Sequence, residues 1–418
     1  MLKNYLKVAL KVLARRKFFT FISLFGISLT LMVLVVTTAI FDHALAPHDP
    51  ETRSDRMLGV YFMEMKGPQQ TWNTEPGYGF LTRYVRPMAA LPGVERIALA
   101  SLAEPVVSYL GGRKIESQLM RTDGEFWRLL DFRFLEGGPF TGEDEQNARF
   151  VAVISESTRE RFFGGKPALG RTIEADGQRF RVVGVVPDVP VLRLSSAADL
   201  WVPISTNKSS SYKQQWMGGF RGLILARSRA DFPAIRSELQ SRLREAERHL
   251  PDPKNYTSLK GHADTLFEAI ARMAFPGDTA DLEAGKVRAV LLLLMLLFML
   301  LPTLNLVNIN LSRILDRSSE IGVRKAFGAS SRTLVGQFVI ENLVLTLIGA
   351  ALSLVLSGAA LQALNASGLI AHAHLQLNFR IFLYGLAIAL FFGVLSGVYP
   401  AWRMSKLHPV QALRGRSV

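Results

Sequence analysis

Cysteine is missing from all 418 residues of the chain. Its absence excludes a disulfide framework, a thiolate metal site and a cysteine nucleophile. The seven histidines are few and scattered, and four of them lack the spacing of metal ligands: His43, His48, His249 and His262. His372 and His374 supply only two candidate ligands, so we expect them to be exposed loop residues and expect no bound metal.

Nucleotide-binding and hydrolase motifs are also absent. The chain has no GxSxG and no GxxxxGK[ST], and GGKPALGRT at 164–172 has its glycines and lysine in the wrong order for a P-loop. Asp188, after GVVP, shares no motif with a histidine or a second carboxylate, so we interpret it as a turn residue. The sequence therefore predicts no catalytic residue and no cofactor bound by this chain.

Charge is missing from four long apolar runs, at 18–41, 289–311, 342–364 and 381–402. About 20 apolar residues suffice to span a bilayer as a helix, and soluble helices of this length normally carry charges every turn or two. The runs therefore predict four transmembrane helices. The first run is longer than the apolar core of a signal peptide, which favours a retained anchor.

Acidic residues are scarce outside the segment 42–287. That segment carries 32 basic and 32 acidic residues, so the whole net charge of +14 lies beside the apolar runs. This is the pattern of membrane-flanking cations and excludes a nucleic-acid groove as the main explanation. Because basic loops stay cytoplasmic, we expect 1–17, 313–337 and the tail 403–418 inside, and 42–287 and 365–380 outside.

The fold class predicted from these features is an α-helical integral membrane protein with four transmembrane helices. A large mixed α+β extracytoplasmic domain is inserted between helices 1 and 2. The predicted segments are 1–17, a cytoplasmic amphipathic helix; 18–41, helix 1; 42–287, the outer domain; 288–312, helix 2; 313–338, a cytoplasmic loop; 339–364, helix 3; 365–380, a short outer loop; 381–402, helix 4; and 403–418, a cytoplasmic tail. The basic residues of 1–17 fit a headgroup-bound helix and equally a simple positive-inside signal.

Local patterns predict several elements of the outer domain. FVAVIS at 150–155 is typical of a strand, and Ser155 is positioned to cap the helix that follows. Asp176-Gly177 predicts the turn of a hairpin. Residues 231–250 predict an amphipathic helix capped by Asp231. The Pro, Ser, Gly and Lys content of 187–222 indicates either a subdomain boundary or a mobile loop.

Small residues recur at four-residue spacing in the third and fourth runs. They are Gly349, Ser353 and Ser357, followed by Gly385, Ala389, Gly393 and Gly397. Such faces let helices approach closely, and two interpretations stay open: packing within one chain, or a dimer interface. Pro302 predicts a kink in the second run.

The stretch SSEIGVRKAFGASSRTLVGQF, 318–338, lies between the second and third runs. Residues 318–327 can form a short helix, Gly328 can end it, and a second helix can lead into the third run. The basic pair Arg324 and Lys325 beside apolar neighbours suits either a soluble partner or lipid headgroups.

The motif SEIGVRKAFGAS resembles the loop between the second and third spans of FtsX-like ABC-transporter permeases. The start, NYLKVALKVLARRKFFTFISLFGISLTL, and the end, GVYPAWRMSKLHPVQALRG, resemble the same family. The segment FVAVISESTRERFFGGKPALGRTIEADGQRFRVVGVVPDVP is similar to the MacB-like periplasmic core domain. The resemblance covers nearly the whole chain, with 187–286 the poorly matched part.

The resemblance implies the permease subunit of a type VII ABC transporter in the bacterial inner membrane, with both termini cytoplasmic. Its loop between spans 2 and 3 would be the coupling helix that docks a cytoplasmic ABC ATPase: Glu320, Ile321, Gly322, Val323, Arg324, Lys325, Ala326, Phe327, Gly328 and Ala329. ATP-Mg would bind the partner ATPase, and since this chain starts at its first span, we expect that ATPase to be a separate polypeptide. Further expected partners are a second permease, as a homodimer or related heterodimer, a periplasmic adaptor and an outer-membrane channel.

Three functions follow as hypotheses. The first is export of a peptide, drug or lipid-linked substrate by mechanotransmission, in which the outer domain moves when the ATPase closes. The second is transmission of the same motion to activate a periplasmic enzyme without transport. The third is a membrane receptor or scaffold without an ATPase.

Overall fold

The structure is a computed structural model that describes residues 17–275, 284–298 and 331–405, with isolated positions at 9, 11, 13–15, 300, 304, 307 and 323. The chain divides into two compact units. The helical unit comprises Met1–Asp42, Arg288–Leu369 and Leu375–Val418. The mixed domain comprises His43–Val287 and Ile370–His374.

The α-helices of the described residues, in chain order, are α1 (Lys17–Leu45), α2 (Tyr78–Phe80), α3 (Phe126–Leu129), α4 (Gly142–Gln146), α5 (Glu156–Phe163), α6 (Phe232–Glu247), α7 (Leu266–Ala274), α8 (Ser331–Ser367) and α9 (Phe379–Ser405). Residues 284–298 are also helical. The strands are β1 (Met57–Val60), β2 (Met63–Lys66), β3 (Thr71–Thr74), β4 (Val94–Ser101), β5 (Glu104–Leu110), β6 (Arg113–Thr122), β7 (Glu136–Gly137), β8 (Val151–Ser155), β9 (Thr172–Ala175), β10 (Gln178–Val186), β11 (Leu200–Pro203), β12 (Phe220–Ala226) and β13 (Ser258–Gly261).

Three helices of the described residues are long and apolar enough to cross a membrane: Lys17–Leu45, Val335–Ser367 and Phe379–Ser396. They contain or overlap three of the four predicted runs. The other run, 289–311, is helical as far as residue 298, and most of the rest lies outside the described residues. The presence of apolar membrane helices is thus confirmed, whereas the number four stays a prediction.

The helical unit is held together by interlocking apolar side chains of α1, α8 and α9. Its core includes Ile27, Leu31, Val35, Val344, Leu345, Phe382 and Ala389. A polar contact adds to these, since Asn378 Nδ2 donates to Asp42 Oδ2 at 3.2 Å. The dominant interaction between the helices is therefore side-chain packing. This is expected in a membrane, because surrounding lipid removes the hydrophobic driving force for helix association.

The mixed domain is built on a ten-stranded sheet. Eight strands follow the order β1-β12-β4-β6-β11-β8-β10-β7, and the other two are β5, which pairs with β6, and β9, which pairs with β10. The pairs β8–β10 and β6–β11 are parallel, and the other pairs are antiparallel. A second sheet has the order β13-β2-β3. This α+β architecture confirms the predicted class of the segment.

Alternation along β12 explains how the large sheet is covered on both faces. Phe220 and Ile224 enter a core shared with α6 and the small sheet. Leu223 and Leu225 enter a second core around Trp201. Because successive side chains point to opposite faces, Arg221 lies on the same face of the strand as Leu223 and Leu225.

Several local predictions are confirmed. Ser155 Oγ accepts a hydrogen bond from Thr158 N at the start of α5, and Gly164 ends that helix with a φ of 60°. Asp176 and Gly177 form the β9–β10 turn with φ angles of 53° and 66°, as a two-residue hairpin with positive φ at both positions requires.

Two predictions need correction. Asp231 precedes α6 but makes no side-chain cap; its carboxylate instead accepts from the backbone and hydroxyl of Ser228 in the preceding turn. Segment 187–222 is neither a boundary nor only a loop, because it contains β11, which pairs with β6 and β8 inside the large sheet. The pairing of β11 depends on strands that are distant in sequence, whereas the carboxylate of Asp231 is bound by a residue only three positions before it.

Candidate functional site

The predicted coupling helix falls mainly on residues that the structure does not describe. Of the ten positions, Val323 is described; it is helical and 46% exposed. The other nine lie outside the described residues: Glu320, Ile321, Gly322, Arg324, Lys325, Ala326, Phe327, Gly328 and Ala329. Pro302 lies outside them as well. These assignments therefore stay predictions.

The small residues of α8 and α9 lie where helices touch within the chain. A Cβ on Gly349 would come within 2.7 Å of Ile27 Cγ2 on α1. A Cβ on Gly393 would come within 2.6 Å of Thr346 Oγ1 on α8. Ordinary side-chain contacts are longer than this, so a larger residue at either glycine would require the neighbouring side chain or helix to shift.

Among the remaining members of this set, Gly385 lies close to a neighbouring helix and the two serines and the alanine are buried. A Cβ on Gly385 would lie 3.2 Å from Leu34 Cδ2. Ser353 and Ser357 are fully buried, and Ala389 is 8% exposed. The surroundings of Gly397 lie outside the described residues. Packing within one chain accounts for Gly349, Gly385 and Gly393. Whether these small residues also contact a second copy of the chain stays open.

The mixed domain buries a carboxyl group that the sequence did not single out. Asp123 follows β6 and is completely buried. Its Oδ2 accepts from Arg86 Nη2 at 2.7 Å and from Leu99 N at 2.9 Å, and its Oδ1 accepts from Phe126 N at 3.0 Å. Asp123 therefore joins the end of β6 to β4 and to the start of α3.

The electrostatic environment of Asp123 contains opposing contributions. Burial raises the pKa of its carboxyl to about 7, against the pull of Arg86 and of the two backbone donors. The neighbouring Glu145 adds to the rise, and burial also raises the pKa of Glu145. Asp123 and Glu145 are thus two carboxyl groups that share the single cation Arg86.

A cavity of about 1030 Å³ opens beside this group. Aromatic side chains form part of its wall, with the rings of Tyr78 and Tyr212 packed edge to face at 5.1 Å. Burial raises the pKa of Tyr78 to about 12, and Glu145 contributes to the rise. Several of its charges are already paired, such as Glu125 with Arg96 and Arg128 at 3.0 and 2.9 Å. The arrangement therefore indicates a structural role.

A second buried charge cluster fastens the chain that follows α1. Ser196 Oγ donates to Glu51 Oε1 at 2.7 Å, and Arg193 Nη1 donates to Ala46 O at 2.8 Å. Arg193 Nη1 also lies 3.9 Å from Glu51 Oε2. Burial raises the pKa of Glu51, with Ser196 and Arg193 acting in the opposite direction. These residues are more than 140 positions apart, so no local pattern could reveal the cluster.

Asp188 lies in an irregular segment after β10 and its carboxylate has a structural partner, while its interpretation as a turn residue stays a prediction. Its carboxylate accepts from Ser157 N at 3.0 Å and from Ser157 Oγ at 2.7 Å at the start of α5. His372 Nδ1 lies 3.6 Å from the same carboxylate. His372 and His374 are both exposed, as predicted. The described part of the chain contains no group of three metal-ligating side chains.

Comparison with known protein families matches two segments of the chain. The MacB-like periplasmic core domain matches residues 20–242. The FtsX-like permease C-terminal region matches residues 292–409. The first match alone covers more than half of the chain, and the second follows it in the order that the sequence motifs predicted.

Individual relatives agree with these matches. The chain is 26% identical over 329 residues to the macrolide export ATP-binding/permease protein MacB of Bdellovibrio bacteriovorus, covering 78% of this chain and 48% of that protein. It is 24% identical over 341 residues to the uncharacterized ABC transporter permease YknZ of Bacillus subtilis, covering 80% and 79%. It is 27% identical over 335 residues to the pyoverdine export ATP-binding/permease protein PvdT of Pseudomonas aeruginosa, covering 79% and 47%.

The chain spans about half the length of the ATP-binding/permease relatives and most of the length of the permease YknZ. The predicted family is confirmed by the two module matches and by these relatives, and the described helices agree with a membrane protein. The chain therefore belongs to the family of ABC transporter permeases that join a MacB-like periplasmic core domain to an FtsX-like permease region.

Proposed function

We propose that this chain is the permease subunit of a type VII ABC transporter, in which ATP hydrolysis on a separate ATPase drives movement of the mixed domain. The observation that carries the proposal is the order of the two family matches in one chain, with the outer module at 20–242 and the permease module at 292–409. Apolar helices long enough to cross a membrane precede and follow the mixed domain in the sequence.

The energy source is proposed to be a cytoplasmic ABC ATPase that binds ATP-Mg. Support comes from the lack of a GxxxxGK[ST] motif in these 418 residues and from the similarity to most of the length of a permease. The docking element is proposed to be 320–329, where Arg324 and Lys325 would pair with acidic groups of the ATPase. Charges of this kind steer association and determine which partner binds.

The work of the permease is proposed to be export. Two relatives bear the names of exporters, one for macrolides and one for pyoverdine. Their substrates differ in chemistry, so the names support an exporter without indicating a substrate, and we retain a peptide, drug or lipid-linked molecule as the substrate class. The proposed assembly contains a second permease, and a periplasmic adaptor with an outer-membrane channel would complete the route.

The placement proposed for the chain is the inner membrane, with both termini and 313–338 in the cytoplasm. The segments proposed are those of the sequence prediction, with the outer domain at 42–287 and a helix at 288–312 after it. Support comes from the distribution of basic residues, which places the whole net charge beside the apolar runs.

The docking proposal is tested by reversing its two charges. We expect Arg324→Glu combined with Lys325→Glu to reduce recovery of the ATPase with the affinity-tagged permease by about tenfold or more, because like charges at a contact cost several kcal/mol. The measurement is quantitative mass spectrometry of the purified complex in mild detergent, with permease abundance as the reference.

A matched control reverses two basic residues of the tail, Arg403→Glu with Lys406→Glu, which changes the net charge by the same amount. This variant should retain the ATPase. Equal retention of the ATPase by both variants would contradict the docking assignment, and absence of any ATPase from the unmodified complex would favour a receptor or scaffold.

Export and enzyme activation are separated in a deletion strain. Export predicts that a substrate accumulates in the cells and that the unmodified gene restores its release. Activation of a periplasmic enzyme predicts a cell-wall defect without accumulation, and that outcome would replace the export proposal while leaving the ATPase coupling in place.

A further inference from the structure

A second cavity in the mixed domain has the composition of a ligand site. Its volume is about 750 Å³, within the range of about 300–1,000 Å³ typical of small-molecule pockets. Apolar side chains dominate the wall: Leu102, Ala103, Val189, Val191, Leu194 and Ala371. Leu102, Val191 and Leu194 are 38%, 48% and 48% exposed, so the cavity presents apolar surface to its surroundings.

A buried cation, Arg221 of β12, forms part of the lining. The residue is 7% exposed. Its Nη1 donates to the carbonyl oxygen of Leu194 at 2.5 Å, and a guanidinium carries five N–H donors. Among residues 17–275 and 370–374, the structure gives the guanidinium no other hydrogen bond and no ion pair.

The surroundings of Arg221 do not fully compensate its charge. Burial lowers the pKa of Arg221, with Tyr61, Glu75 and Glu51 opposing the change from a distance. Glu51 is already bonded to Ser196. A buried cation without a close anion is costly, so an anionic group that entered the cavity would bind to the remaining donors of Arg221.

Most other charges around the cavity already have partners. Arg161 Nη2 lies 2.7 Å from Asp199 Oδ1, and Asp188 accepts two bonds from Ser157. Glu160 is exposed, where solvent and salt screen its charge. Arg221 is therefore the buried cation of this wall whose donors remain available to a ligand.

We propose that this cavity binds an amphiphile with one anionic head, whose carboxylate or phosphate pairs with Arg221 and whose apolar body lies against Leu102, Val191 and Leu194. The binding step requires no ATPase, so it stands apart from the proposed export function. The same chemistry occurs in a membrane phospholipid and in a free fatty acid or alkyl phosphate.

Direct binding tests the proposal with the full chain in nanodiscs of zwitterionic phosphatidylcholine. The probes are decanoate, decyl phosphate and the neutral decanol, added in calorimetric titrations below their micellar concentrations. We expect both anions to bind at least about tenfold more tightly than decanol, because a hydrogen-bonded charge is worth more than a neutral hydrogen bond. Equal affinity for decanol and decanoate would overturn the proposal.

Two sets of variants locate the bound head and body. Arg221→Met should lower the affinity for the two anions by about 10- to 100-fold and leave the affinity for decanol unchanged. Arg221→Lys should retain part of the preference for anions. Because Arg221 is buried and its replacement can unfold the domain, a second pair acts at the exposed rim. Leu194→Glu should lower the affinity for the anions through charge repulsion, and the matched Leu194→Gln should lower it much less. Equal affinities for this rim pair would also overturn the proposal.

The source of the ligand is determined by mass spectrometry of lipids retained by the chain after purification from cells. The membrane would be identified as the source if Leu194→Glu retains less phospholipid, or its monoacyl form, than Leu194→Gln does. Free fatty acids reduced in the same way would identify a soluble amphiphile. Both results support the site, and retention of the same molecules by both variants would contradict it.

Discussion

At the scale of single residues, the mixed domain depends on buried charges with specific partners. Asp123 accepts three hydrogen bonds, yet burial raises its pKa to about 7. An aspartate in the unfolded chain has a pKa near 3.9. Between these values the folded chain binds one more proton than the unfolded chain, so stability falls as pH rises.

The prediction for Asp123 concerns this pH dependence. We expect the free energy of unfolding of the mixed domain to fall by roughly 1–3 kcal/mol between pH 5 and pH 8 through this group, and Asp123→Asn should flatten the profile. The measurement is thermal unfolding of the detergent-purified chain followed by tryptophan fluorescence, since four of the five tryptophans lie at 72, 127, 201 and 216.

A nearby surface acid provides the control. Glu143 is paired with Arg149 and its side chain is 69% exposed, so Glu143→Gln should leave the pH profile unchanged. A contribution of Asp123 to the free energy of unfolding that increases with pH would contradict the prediction. It would mean that Arg86 and the backbone donors affect the pKa of Asp123 more than burial does.

At the scale of elements, small side chains determine how closely the helices approach. The close approach of α8 to α1 requires Gly349, because a Cβ there would meet Ile27 Cγ2 at 2.7 Å. A Cβ at Gly358, on the same helix, would meet nothing within 4 Å. The two glycines therefore form a matched pair that separates packing from helix propensity.

We expect Gly349→Leu to destabilise the helical unit by about 1–3 kcal/mol, the usual cost of overpacking. Gly358→Leu should have little effect or stabilise the helix, because leucine has the higher helix propensity. The measurement is the thermal stability of the purified chain. Adding Ile27→Ala to Gly349→Leu should recover part of the loss, and no recovery would show that the clash is not with Ile27.

At the scale of the whole molecule, the distribution of charge predicts topology, and the absence of cysteine makes that prediction measurable. A single introduced cysteine is the only thiol in the chain. Ser210 lies in the mixed domain and is exposed, whereas Ser319 and Ser417 lie in stretches whose basic residues predict the cytoplasm.

We expect a membrane-impermeant maleimide to label Ser210→Cys in cells with a permeable outer envelope. Ser319→Cys and Ser417→Cys should react only after the inner membrane is disrupted. The readout is a gel shift with a polyethylene-glycol maleimide. Labelling of Ser319→Cys in intact cells would contradict the orientation and, with it, the docking site proposed at 320–329.

Local features of the mixed domain were predictable because they depend on neighbours in sequence. The Asp176-Gly177 turn follows from the tolerance of those residues for positive φ, and the Ser155 cap satisfies a donor three residues away. Strand β11 was not predictable in the same way, because its four residues are stabilised by pairing with β6 and β8. Asp231 was wrongly predicted to cap α6, because its carboxylate instead accepts hydrogen bonds from Ser228.

The sequence by itself determined the family, the apolar helices and the position of the net charge, because hydropathy, charge and short motifs are properties of consecutive residues. Tertiary structure alone decided which distant residues meet. Arg221 and Leu194 form one wall with Leu102 and Ala371 only after the sheet is assembled, and Asp123 meets Arg86 in the same way. The physical reason is that burial and pairing depend on distances in space, which no spacing along the chain encodes.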